Sequence, residues 1–129
     1  MHKFNHVCII DDDPIYTLTT RKLMEIYRLA AYIEVFKNGK EALDTLKPRL
    51  ESNTKVPEVI FLDLNMPIMD GWQFLDEIAD IDTHKIVIYV VSSSIDPADM
   101  KKAEEYSSVS NYVVKPITPE RLKSLFEQM

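Results

Sequence analysis

The sequence has a single cysteine, a single tryptophan and no surplus of basic charge among its 129 residues. One cysteine, Cys8, cannot close an internal disulfide, and its apolar neighbours Val7, Ile9 and Ile10 mark it as a buried thiol. Long apolar runs are also missing. The longest, Val59 to Leu62 and Ile86 to Val91, are far too short to cross a bilayer, so membrane insertion is not expected. The N-terminus carries His2 and Lys3 but no apolar signal-peptide core, which leaves a cytoplasmic protein as the default expectation. Fifteen basic residues against twenty-one acidic ones leave a net charge of −6. Such a balance gives no general attraction for nucleic-acid phosphates; it favours cations or a partner with a basic patch. His2, His6 and His84 stand apart from one another and follow no metal-ligand spacing.

What is present is enough for one folded domain over residues 1–129: 46% hydrophobic and 28% charged residues exclude disorder across the whole chain. Short apolar runs alternate with helical spacing five times. The run Val7 to Ile10 stops at Asp11-Asp12-Asp13-Pro14, where Asp13 suits a helix cap and Pro14 a first helical turn. Ile15, Leu18, Met24, Ile26 and Ala30 then recur as the buried face of a first helix. Tyr32 to Phe36 reads as a second strand ended by the turn dipeptide Asn38-Gly39. Ala42, Leu43 and Leu46 predict a short helix that Pro48 ends or kinks.

Val59 to Leu62 has no alternation, as expected of a strand covered on both faces, and it stops at Asp63. A loop with Asn65, Pro67, Asp70 and Gly71 leads to a helix bearing Phe74, Leu75 and Ile78. Ile86 to Val91 predicts the fourth strand, ending in Ser92-Ser93-Ser94, and Asp96-Pro97 opens a helix with a thin apolar face. Tyr112 to Val114 predicts the fifth strand, ending at Lys115-Pro116. Thr118-Pro119 then starts a helix with Leu122, Leu125, Phe126 and Met129 on one face. Five such units imply an α/β fold, a doubly wound parallel sheet with helices on both sides. Trp72 and Tyr89 read as packing residues, and Lys101-Lys102 with Glu104-Glu105 as a solvated helix face.

The costly polar residues collect at strand C-termini: Asp11 and Asp12, Asp63, Ser92 and Lys115. In an open parallel sheet that edge binds ligands, and a 2-1-3-4-5 strand order would put Asp11, Asp12 and Asp63 in one pocket. Crowded carboxylates call for a divalent cation, and oxygen-only ligands point to Mg²⁺ or Mn²⁺. A metal, a lysine and a hydroxyl around a carboxylate are the parts needed to move a phosphoryl group onto that carboxylate.

The motifs Cys-Ile-Ile-Asp-Asp-Asp-Pro (8–14), Phe-Leu-Asp-Leu-Asn-Met-Pro-Ile-Met-Asp-Gly (61–71), Val-Val-Ser-Ser-Ser (90–94) and Tyr-Val-Val-Lys-Pro (112–116) together resemble the receiver domains of two-component response regulators. The resemblance implies a flavodoxin-like (βα)5 sheet in the order 2-1-3-4-5. It implies Asp63 as the phosphoacceptor, served by the phosphohistidine of a sensor histidine kinase or histidine phosphotransfer protein. It implies Mg²⁺ on Asp12, Asp63 and the backbone carbonyl of Asn65, with Asp11 acting through a metal-bound water. Lys115 would neutralise developing charge, Ser92 would donate to the phosphoryl group, and Tyr112 would turn inward as Ser92 moves. Pro116 would follow a cis bond.

Two features depart from the family pattern. Serine replaces the commoner threonine, with Ser92 fitting the spacing to Asp96 and Ser93 the spacing to Lys115. The loop Tyr106 to Asn111 lacks the usual glycine. Asn65 and Ser94, each two residues past a site residue, are expected to set the phosphoryl lifetime through access of water. The chain has no visible output domain. It is therefore expected to act through an effector protein, or to pass the group along a relay, as a self-modifying phosphoacceptor and not a conventional enzyme. A haloacid-dehalogenase-type phosphatase would need an aspartate where Asn65 stands, to protonate the leaving group. An adaptor that is never phosphorylated would have no need of the acidic crowding.

Overall fold

A computed structural model describes residues 2–129. Five strands alternate with five helices: β1 (Phe4–Ile10), α1 (Pro14–Ile26), β2 (Ala30–Phe36), α2 (Gly39–Ser52), β3 (Val59–Asp63), α3 (Gly71–Glu77), β4 (Val87–Ser92), α4 (Pro97–Glu104), β5 (Asn111–Val114) and α5 (Pro119–Glu127). The strands pair in parallel in the order β2-β1-β3-β4-β5. This is the doubly wound, flavodoxin-like architecture expected from the sequence, with the order reversing between β1 and β3. Among the described residues, no helix is long and apolar enough to cross a membrane.

The unbroken apolar runs follow from burial on both sheet faces. Cys8, Ile10, Ile60, Leu62, Ile88 and Val90 pack on one side with Leu43, Leu46, Phe74, Leu75 and Ile78 from α2 and α3. Val7, Ile9, Val59, Phe61, Tyr89 and Val91 pack on the other with Met24 of α1 and Leu122, Leu125 and Phe126 of α5. Cys8 is fully buried, and burial pushes its thiol pKa well up, so it is an unreactive core residue. Tyr89 is core as expected, and Met129 lies just beyond α5, half-buried against the same side.

The first helix corrects the expected face. Ile15, Leu18 and Ile26 are 77%, 58% and 69% exposed, and Ala30 belongs to β2. The residues that α1 buries are Thr17, Thr20 and Met24. A buried Thr17 is tolerated because its hydroxyl donates to the Pro14 carbonyl at 3.1 Å, inside the helix itself. Asn38-Gly39 does end β2, but as a helix start: the Asn38 side chain accepts from Glu41 N at 2.8 Å, and neither glycine has a positive φ.

Pro48 neither ends α2 nor marks its boundary; the helix runs on to Ser52 and closes on Asn53 in the left-handed region. Proline removes one backbone donor, and the turn beyond it is anchored by tertiary contacts. Leu50 is buried, and Arg49 donates to Glu34 Oε1 at 2.8 Å. His6 Nε2 lies 2.7 Å from the same oxygen. Glu34→Ala would strand both partners in a largely buried setting and is expected to destabilise the protein by about 2 kcal/mol. Urea titration measures the loss, with faster amide exchange in 49–52 as its local signature.

Candidate functional site

The strands deliver the polar residues to one edge. Asp63 and Ser92 are the last residues of β3 and β4, one position inside the predicted loops. Asp11 follows β1, its N–H donating to the Phe36 carbonyl at 3.0 Å, and Lys115 follows β5, its N–H donating to the Ser92 carbonyl at 2.9 Å. Carboxylate oxygens of Asp11, Asp12 and Asp63 all lie within 4.8 Å of one another. Asp11 and Asp63 are buried, whereas Asp12 is exposed.

The Lys115 ammonium donates to Asp11 Oδ2 at 2.8 Å and stands 3.8 Å from Asp63 Oδ2. Asp11 also accepts from Asp13 N at 2.9 Å, so the two fixed contacts leave Asp63 the less neutralised carboxylate. Burial pushes the Asp63 pKa up to about 6; the negative charge of Asp11 adds to this, and Lys115 and the Asn65 N–H oppose it. That N–H lies 3.5 Å from Asp63 Oδ1, on an exposed Asn65 two residues along the loop. Three acidic groups with one lysine leave the cluster short of positive charge, and an oxygen-only donor set fits a hard divalent cation. Asp13 caps α1, as expected: it accepts from Ile15 N at 3.0 Å and Tyr16 N at 3.3 Å.

Of the three serines, Ser92 holds the buried strand end and Ser93 is exposed. Ser94 ties three elements together. Its N–H donates to Ser92 Oγ at 3.1 Å, its carbonyl accepts from the Tyr112 hydroxyl at 2.9 Å, and its own hydroxyl donates to Asp99 of α4 at 2.7 Å. Tyr112 is half-buried on this tether. Lys115-Pro116 is a cis bond. Trp72 packs, as read from the sequence: it stacks on Tyr106 with ring centres 5.8 Å apart, beneath the Lys102 ammonium. Two of the three isolated histidines pair with acids, His6 with Glu34 and His84 with Asp82.

Two contributors escaped the sequence reading. Tyr16, on the first turn of α1, places its ring under Lys115, with the ammonium 4.4 Å from the ring centre. Gly39, read only as a turn residue, donates its N–H to the Met69 carbonyl at 2.9 Å and braces the loop after Asp63. No local pattern marks either, since each acts on a residue far along the chain.

Comparison with known proteins agrees with this geometry. The family model described as the response regulator receiver domain matches residues 7–127. The probable methanogenesis regulatory protein FilR2 of Methanothrix harundinacea is 26% identical over 125 residues, covering 95% of this chain and 79% of that protein. The probable C4-dicarboxylate response regulator DctR of Priestia megaterium is 28% identical over 122 residues; the match covers 95% of this chain but only 50% of that protein. The crystal structure of a two-component response regulator from Cytophaga hutchinsonii superposes with a TM-score of 0.82 at 30% identity, covering 96% of this chain and 95% of that one. With a buried aspartate at the end of β3, flanked by two further carboxylates and a lysine, the chain belongs to the response regulator receiver domain family.

Proposed function

We propose that this receiver accepts a phosphoryl group on Asp63 from the phosphohistidine of a sensor histidine kinase or a histidine phosphotransfer protein, with Mg²⁺ bound by the acidic cluster, and that the modified site alters a protein-binding surface. The observation that carries this is the convergence of Asp11, Asp12 and Asp63 within 4.8 Å, with the Lys115 ammonium 3.8 Å from Asp63. Asp12, Asp63 and the Asn65 carbonyl would hold the ion, with Asp11 acting through water; when bound it supplies charge neutralisation for the incoming phosphoryl oxygens. An Asp63 oxygen forms a bond to phosphorus as the phosphorus–nitrogen bond to the donor imidazole breaks, and the imidazole leaves with its electron pair and takes up a proton. Lys115 is close enough to meet the charge that develops on the transferring group. The group ends on the protein's own carboxylate, so the chain is read as a self-modifying acceptor and not as an enzyme that turns over a substrate.

A protein donor is supported by the rim. Ile15, Ile68 and Ile95, each at least three-quarters exposed, sit in the segments that follow β1, β3 and β4. Apolar side chains around a polar pocket favour a macromolecular partner over a small free phosphodonor. Output is supported by the Ser94 tether: if Ser92 Oγ turns to the phosphoryl group, the Ser94 N–H loses its acceptor, and the holds on Tyr112 and α4 loosen with it.

Incubation with Mg²⁺ and phosphoramidate is expected to add one phosphoryl group by intact-protein mass, mapped to Asp63, and none when the ion is chelated. Addition at another residue, or none with Mg²⁺ binding demonstrated and a histidine-phosphorylated donor supplied, would overturn the reading.

A further inference from the structure

Lysine is a point charge on a flexible four-carbon stem, so two carboxylates alone define its position poorly. In this site the Lys115 ammonium has a third neighbour, the face of the Tyr16 ring 4.4 Å away. Tyr16 is itself held: its N–H is bonded to the Asp13 carboxylate at 3.3 Å, and its ring packs against the core beneath α1 and α5. Its hydroxyl is buried and, among the described residues, has no hydrogen-bond partner. The polar tip faces the Thr20 side chain, whereas the ring face meets Lys115. An aliphatic residue would fill the same space without attracting a cation, whereas an aromatic face attracts an ammonium through its quadrupole.

Resting on the phosphoacceptor reading above, we propose that Tyr16 is a positioning residue for Lys115. Its ring face holds the ammonium between Asp11 and Asp63, where the oxygens of the incoming phosphoryl group must be met. Without the ring, the lysine is free to swing toward solvent, and each transfer waits for its return.

Tyr16→Phe and Tyr16→Leu in the full chain test this. The Lys115 ε-methylene proton resonance, assigned by its loss in Lys115→Met, should be displaced upfield by the ring current in the parent and in Tyr16→Phe. It should return to the ordinary lysine position in Tyr16→Leu. Phosphoryl acceptance from phosphoramidate should be unchanged in Tyr16→Phe and slower by about 3–10-fold in Tyr16→Leu, with half-saturation by Mg²⁺ unchanged. An unmoved methylene resonance in Tyr16→Leu, or a loss in Tyr16→Phe equal to that in Tyr16→Leu, would overturn the assignment. If the parent accepts no phosphoryl group from phosphoramidate or from a histidine-phosphorylated donor, the phosphoacceptor reading fails, and the resonance in the metal-free protein still decides whether Tyr16 holds Lys115.

Discussion

Asp63→Asn is expected to abolish phosphoryl acceptance and, at the same time, to make the metal-free protein more stable at neutral pH. The first effect is all-or-none, because an amide oxygen is a poor nucleophile and its phosphoryl adduct would not persist. The second follows from the folded-state pKa of Asp63, which burial and the charge of Asp11 raise to about 6. A carboxyl whose folded pKa lies above its unfolded value contributes stability that is fully present below about pH 4, and this contribution is lost as pH rises through about 6. At pH 7 the parent therefore carries an ionised carboxylate at a cost of about 2 kcal/mol, allowing for solvent and Lys115 screening. The neutral amide escapes that cost. Thermal melts from pH 4 to 8 should show the two proteins converging at the acid end and the variant ahead above pH 6. Saturating Mg²⁺ should raise the parent's midpoint and narrow or reverse the gap, since an ion that binds only the folded state stabilises it by mass action. Equal midpoints at pH 7 without metal would show that Asp63 is not strained by its neighbours.

Gly71→Ala is expected to damage both stability and chemistry, although Gly71 carries no functional group. A Cβ at Gly71 would collide with the Asp63 carbonyl oxygen and stand 2.9 Å from Leu64 Cα. Both are backbone atoms at the end of a central strand, and the Gly71 N–H is bonded to the Leu64 carbonyl at 3.0 Å, so neither side has room to give. Relief requires α3 to back away or β3 to shift at the phosphoacceptor itself. The loop between them has little slack: Ile68 sits at φ 69, a region that β-branched residues rarely adopt. Overpacking of this kind costs about 1–3 kcal/mol, and a displacement near 1 Å at a reacting group can cost about 100-fold in rate. Urea titration and the phosphoramidate rate should both fall. Gly39→Ala meets Met69 O at 2.7 Å and is expected to weaken stability while sparing the rate, because the atoms it displaces lie farther along the loop. A Gly71→Ala protein with parental rate and midpoint would refute the close-approach argument.

The two glycines of the chain are thus both spent on one loop, the one after Asp63. Their residue type was visible in the sequence; the backbone each one approaches was not. The same division runs through the molecule. The β-then-α rhythm, the caps at Asp13, Asp96 and Thr118, and the helix face of Leu122, Leu125 and Phe126 depend on interactions within a few residues, so the linear pattern determined them. The acidic set and Lys115 were legible because charge at buried strand ends is too costly to be incidental.

Other features were settled only where distant segments meet. The inward face of α1 went to Thr17, Thr20 and Met24, against the apolar pattern, because contact with the sheet and α5 chose it and left Ile15 and Leu18 exposed. Pro48 stayed inside α2 because Glu34 of β2 holds the turn beyond it. Tyr16 met Lys115, and Ser94 met Tyr112, only once the crossovers had brought the ends of β1, β4 and β5 to one edge. Local periodicity and capping are short-range and can be read along the chain. Contacts made through parallel crossovers depend on how whole elements pack, and these the tertiary structure alone decided.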